Sequence, residues 1–193
     1  MDREDRGSHP DLTLALMERS IDLAGAHLAA LAASAAAGEP LARQVAMARA
    51  AERRMLAALG TNTHRGALFL GGSLVLARSR AGGDDEGALR TEVAALAREL
   101  AALTTPRGTH GAAARRRHQV GGILGEAAAG LPSVFEVALP ALREALARGE
   151  GEERASFAAL ARLMQTVEDT TALHRCGAAG LERLRADGAR LLA

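Results

Sequence analysis

The sequence contains no lysine, no tryptophan and no tyrosine, and its 193 residues include one cysteine and three phenylalanines. Each gap removes a class of chemistry. Without lysine there is no P-loop, whose Gly-rich loop needs a following Lys to reach the outer phosphates, and no Schiff base for a pyridoxal enzyme. With so few aromatic rings there is no stacking platform for single-stranded nucleic acid. The lone Cys176 rules out an internal disulfide framework and a Cys-rich zinc site, and it suits a reducing, cytoplasmic setting. Neither sign of charge dominates. Twenty-four basic residues, all arginine, stand against 23 acidic ones, so no overall field holds a nucleic-acid backbone and any anion site must be a local cluster. Long apolar runs are missing too: the stretch Leu23 to Gly38 is short and Ala-rich, and the opening Met1-Asp2-Arg3-Glu4-Asp5-Arg6 has the wrong charge pattern for a secretory signal. Neither nucleic acid nor a membrane is expected as a partner.

What is present is helix. The chain is 48% hydrophobic with a formal net charge of +1, which fits one compact domain over residues 1–193. Leu14, Met17, Ile21, Ala24, Leu28 and Leu31 recur at spacings of three and four, the repeat of one helix face. The same repeat runs through Leu89, Val93, Leu96, Leu100 and Leu103, through Phe157, Leu160, Met164 and Val167, and through Leu181, Leu184 and Leu191. No stretch alternates as a strand would. Gly38-Glu39-Pro40, Gly60, Gly82-Gly83, Pro106-Arg107-Gly108 and Gly149-Glu150-Gly151 break the pattern into helix-sized pieces. The expectation is an all-α, single-domain helical bundle of about seven to nine helices, packed closely through Ala and Gly.

Polar residues that interrupt the stripes are the informative ones. On the face Leu41, Val45, Ala48, Met55, Leu59, Glu52 falls where an apolar residue is expected, and a buried carboxylate needs an arginine, a metal or a substrate as partner. Gly60-Thr61-Asn62-Thr63-His64-Arg65-Gly66 stands at the mouth of a hydrophobic helix, where a cap and an anion site both fit. Thr109-His110-Gly111 is followed by Arg115-Arg116-Arg117, a run that is mostly solvated surface, and then by Glu126 amid Ala and Gly. Pro132 closes that segment. Glu168-Asp169-Thr170-Thr171 with His174 and Arg175 is a dense polar set in which Asp169 is also a helix cap. Cys176 reads as a packing residue. Together these clusters suggest a site for a phosphorylated substrate with a divalent cation, without naming a reaction.

Three blocks resemble the signature of the triphosphoribosyl-dephospho-CoA synthase family. They are Gly60-Thr61-Asn62-Thr63-His64-Arg65-Gly66-Ala67-Leu68-Phe69; Gly122-Ile123-Leu124-Gly125-Glu126-Ala127 with Gly130-Leu131-Pro132-Ser133-Val134; and Asp169-Thr170-Thr171 with His174-Arg175 and Gly180-Leu181. Gly7-Ser8-His9-Pro10-Asp11-Leu12, Ala51-Glu52 with Met55, and Thr109-His110-Gly111 support it, so the likeness covers nearly the whole chain. Departures are Arg65 where the family usually has Lys, Leu124 for Arg, Thr171 for Asn and Cys176 for Gly. Members also tend to carry a Pro- and Gly-containing segment ahead of Asp2, which this sequence lacks.

The resemblance implies transfer of the triphosphoribosyl group of ATP to the 2′-hydroxyl of 3′-dephospho-CoA, with release of adenine. The product is the precursor of the prosthetic group of malonate decarboxylase or citrate lyase and passes to a downstream holo-acyl-carrier-protein synthase. Compositional bias leans to malonate decarboxylase. Such a transfer needs a base for the hydroxyl and Mg²⁺ with donors for the triphosphate. The implied roles are Glu126 or Asp169 as base; Asp11, Glu52 and Asp169 as metal ligands; and Asn62, Thr63, His64, Arg65, His110, His174 and Arg175 around the substrate. A homodimer stays open. Two other classes compete: a helical scaffold, which needs no convergence of the polar clusters, and a helical metal-dependent phosphohydrolase, whose usual His-Asp and Glu-x-x-His pairs are missing.

Overall fold

A computed structural model describes residues 12–61, 65–103 and 117–192. Among them are eight α-helices, one π-helical segment and no strand, as the helical periodicity requires. They are α1 Leu14–Ala36, α2 Leu41–Leu59, α3 Arg65–Ala81, α4 Glu86–Leu103, α5 Gly122–Ala128, the π segment Ser133–Ala138 leading directly into α6 Leu139–Ala147, α7 Glu152–Thr166 and α8 Thr170–Leu191. The chain divides into two compact units, Met1–Leu96 and Ala97–Ala193, with the boundary inside α4. No single helix is long and apolar enough to cross a membrane; the bent pair Gly122–Ala128 and Ser133–Ala147 passes on length and composition only.

The breaks fall where Gly and Pro place them. Gly60 ends α2 in the left-handed conformation, φ 72°, and its N–H reaches the carbonyl of Leu56. Thr13 caps α1 by accepting from Leu16 N at 3.2 Å, and Asp85 caps α4 by accepting from Ala88 N at 2.6 Å. The Pro106 break lies outside the described residues.

In the first unit α1 packs on α2 and α3, with Ala24, Ala51, Met55 and Leu68 buried together and Leu23 and Leu59 against them. The buried face of α1 shares Ala24 and Leu31 with the stripe of the sequence but is centred on smaller and polar residues. Ser20, Ala24, His27, Leu31 and Ser34 are buried, Leu14, Met17 and Leu28 are half-buried, and Ile21 is 58% exposed. Small side chains let helices approach closely, and dense packing then favours that face over the most apolar one. Ser20 Oγ donates to Met17 O at 2.7 Å and Ser34 Oγ to Glu39 Oε2 at 2.7 Å. His27 is different. It is 1% exposed, and neither ring nitrogen has a hydrogen-bond partner among the described residues.

In the second unit α6 packs on α7 and α7 on α8, with the π segment also against α7. The Phe157 stripe gives way to alanine in the same manner: Phe157 and Leu160 are exposed while Ala155 and Ala161 are buried. Leu181 is buried, but Leu191 is exposed. Contact between α7 and α8 is closest at Gly188, where a Cβ would lie 2.7 Å from the carbonyl oxygen of Ala161. Gly177, at φ 66° and ψ −168°, breaks α8 after its first two turns.

Candidate functional site

The second unit holds a cavity of about 660 Å³, a size that suits a small-molecule ligand. Glu126 on α5 and Asp169 at the start of α8 both line it. So do Glu136 on the π segment, Glu168, Ser133, Thr166, Thr170 and Arg185 of α8. The wall beside Glu126 is irregular. Gly130 and Leu131 take consecutive left-handed conformations, φ 80° and 57°, and Leu131 is fully buried. A non-glycine residue there costs about 1–2 kcal/mol. Glu126 fastens the turn at two points: its carbonyl accepts from Leu131 N at 2.9 Å and its carboxylate Oε1 accepts from Ser133 N at 2.6 Å. Pro132 then opens the π segment rather than only closing what precedes it, because its fixed φ and missing N–H suit a helix start. Gly121 makes a close approach at the start of α5, where a Cβ would meet Gly125 Cα at 3.3 Å.

Asp169 is the cap of α8. Its Oδ1 accepts from Thr171 N at 2.7 Å and Ala172 N at 3.0 Å. Both carboxylates thus hold backbone with one oxygen, and neither has a hydrogen bond to the other oxygen among the described residues. Structural anchoring and chemistry are compatible in such a group, because the backbone bond fixes the carboxylate while its second oxygen stays available to a ligand. The cavity carries four carboxylates and one guanidinium. That excess of negative charge suits a substrate that develops positive charge as it reacts, and hard oxygen donors suit Mg²⁺. Among the described residues no three metal-ligating side chains come together.

Comparison with known proteins settles the family. The description ATP:dephospho-CoA triphosphoribosyl transferase matches residues 1–193, the whole chain. The chain belongs to that family. Among the curated relatives, the 2-(5''-triphosphoribosyl)-3'-dephosphocoenzyme-A synthase of Klebsiella pneumoniae is 37% identical over 202 residues, which cover all of this chain and 71% of the relative. A protein of Stutzerimonas stutzeri strain A1501 with the same name, marked probable, is 37% identical over 198 residues, 98% of this chain and 68% of the relative. One of Azotobacter vinelandii is 37% identical over 201 residues, with 98% and 68% covered. No solved structure matches the chain.

Of the positions that the triphosphoribosyl transferase resemblance marks, the structure brings Glu126 and Asp169 to one cavity. His174 and Arg175 lie on the first two turns of α8, exposed, and do not line it. Glu52, on α2, is half-buried beside the buried face of Ala51 and Met55 rather than within it. The backbone of Arg65 begins α3. Asp11, Asn62, Thr63, His64 and His110 lie outside the described residues. Arg185 and Glu136 were not singled out by sequence. Arg185 had a signal: it stands four after Leu181 and three before Gly188, both buried, so its position shares their face. Glu136 had none, because its place depends on the π segment, which no pattern of residues announces.

Proposed function

We propose that the chain transfers the triphosphoribosyl group of ATP to the 2′-hydroxyl of 3′-dephospho-CoA and releases adenine. The observation that carries this reading is the family match over residues 1–193. A cavity that Glu126 and Asp169 both line is a second support, and it favours an enzyme over a scaffold, which needs no such convergence.

In the reaction, the hydroxyl oxygen bonds to the anomeric carbon of ATP as the bond from that carbon to adenine breaks. The hydroxyl proton goes to a carboxylate, and adenine leaves with a proton taken up at its ring. We assign the base to Glu126. It has one carboxylate oxygen on backbone through a single bond, against the two that fix Asp169, and its longer side chain reaches further. Asp169, Glu136 and Glu168 stabilise positive charge on the sugar ring. Asp169 is the residue of this unit that would hold Mg²⁺, which would neutralise charge on the triphosphate; the ion commonly takes only one or two carboxylates together with substrate phosphates, so a cavity without three gathered ligands would fit it. Asp11 and Glu52 keep the ligand roles, and Asn62, Thr63, His64, Arg65, His110, His174 and Arg175 the substrate-binding roles, that the resemblance gives them. The product serves the prosthetic group of malonate decarboxylase or citrate lyase, by way of a holo-acyl-carrier-protein synthase.

The test is adenine release from ATP and Mg²⁺ with and without 3′-dephospho-CoA, followed by mass spectrometry of the coenzyme. Adenine that appears only with dephospho-CoA, together with a triphosphoribosyl adduct, is the expected result. No adenine and no adduct from folded protein would overturn the reading.

A further inference from the structure

Arg185 is the one cationic side chain among the described residues that line the cavity, yet it pairs with none of the cavity's carboxylates. Its partner is Glu182, one turn earlier on α8, whose Oε1 accepts from Nη1 at 2.7 Å. A guanidinium offers two bidentate edges, the end-on pair of Nη groups and the side-on pair of Nε and Nη2. Glu182 occupies Nη1 alone. The side-on edge therefore has no acceptor among the described residues, and its Nε is buried. An arginine placed for structure has its buried donors satisfied, because an unmet buried N–H destabilises the fold. The side chain is 35% exposed, so its charge acts through a medium less screening than bulk water.

We propose that Arg185 binds a phosphate group of the nucleotide through this side-on edge, the side chain shifting toward the cavity as it does so, because Nε is closed to solvent in the present arrangement. The edge matches two phosphate oxygens, and elsewhere the cavity's carboxylates repel them, so the anionic part of the ligand is directed to Arg185 and the sugar to the acids. The identity of the nucleotide rests on the transferase reading; the phosphate site does not.

The full chain is titrated by calorimetry with inorganic tripolyphosphate, ATP and adenosine, each with Mg²⁺, for the wild type, Arg185→Gln, Arg185→Lys and Glu182→Gln. Arg185→Gln is expected to weaken tripolyphosphate and ATP by about tenfold to a hundredfold, the loss of charge-assisted hydrogen bonds, and to leave adenosine unchanged. Arg185→Lys keeps the charge without the fork and falls between. Should Arg185→Gln unfold in a thermal melt, the lysine variant alone must still show the loss. Glu182→Gln leaves the side-on edge in place and binds tripolyphosphate within about threefold of wild type. Equal affinity for tripolyphosphate in wild type and folded Arg185 variants, or an equal loss for adenosine, would overturn the proposal. If the wild type releases no adenine but binds tripolyphosphate through Arg185, the transferase reading fails and the phosphate site stands. If adenine is released and the Arg185 variants bind tripolyphosphate as wild type does, the reverse holds.

Discussion

His27 and Glu126 have similar neighbours in sequence, Ala and Gly with one Leu, and opposite surroundings in space. His27, in the first unit, is buried, and among the described residues neither ring nitrogen has a partner. Glu126, in the second, holds a strained turn with one oxygen, has no hydrogen bond to the other among the described residues, and lines a cavity. A polar residue inside an apolar stripe thus has two outcomes. Where small residues let helices close on it, it is a cost to the fold; where an irregular segment keeps the helices apart, it is available for chemistry. The π segment and the left-handed Leu131 are what separate the two cases.

The largest expected effect is at Glu126. Glu126→Gln keeps a carbonyl oxygen to accept from Ser133 N, so the melting temperature should change little, while adenine release falls by about 10²- to 10⁴-fold, the usual worth of a general base. Unchanged turnover would remove Glu126 from the mechanism. Next is the close contact between α7 and α8. Gly188→Ala puts a Cβ 2.7 Å from the carbonyl of Ala161 and 2.8 Å from Met164 Cβ, and should cost about 1–3 kcal/mol in chemical denaturation. A neutral result would mean that α7 and α8 slide apart freely.

In the first unit, His27 makes stability respond to pH. Burial, aided by the positive charge of Arg54 and opposed by Glu52, holds the His27 pKa below its ordinary 6.5. The unfolded chain then takes up the proton more readily than the folded one. Stability from this group is therefore complete above pH 6.5 and declines as pH falls from there toward the lower folded value. His27→Leu removes both unmet nitrogens at similar volume. Its stability relative to wild type should grow as pH is lowered from 7 toward 5, read from urea denaturation at each pH. Parallel curves would show that His27 is not buried neutral. The smallest effect is Gly25→Ala in α1, where a Cβ meets nothing within 4 Å. It should stabilise by about 0.5–1 kcal/mol, the helix-propensity gain, in contrast with the loss at Gly188.

Helix content and most breaks were legible because they depend on local chemistry: the repeat of three and four, and Gly or Pro where a helix cannot continue. Asp169 as a cap was legible for the same reason, since it needs only its own backbone two and three residues on. Which face is buried was less so. Ile21 and Phe157 are exposed and small residues are inside, because closeness of approach, a property of two helices together, outweighed apolarity, a property of one. Arg185 was half legible: its place beside Leu181 and Gly188 could be read, but its pairing with Glu182 and the lack of an acceptor for its Nε among the described residues could not.

By itself, the sequence determined that the chain is helical, that it has no lysine-dependent or disulfide chemistry, and which family it belongs to, because composition, periodicity and motif order are carried by the residues themselves. Only the tertiary structure decided that Glu126 and Asp169 share a cavity, that Glu136 and Arg185 join them, and that His174 and Arg175 do not. Convergence of residues from α5, the π segment and α8 depends on helix approach and on one strained turn, and neither leaves a periodic trace in the chain.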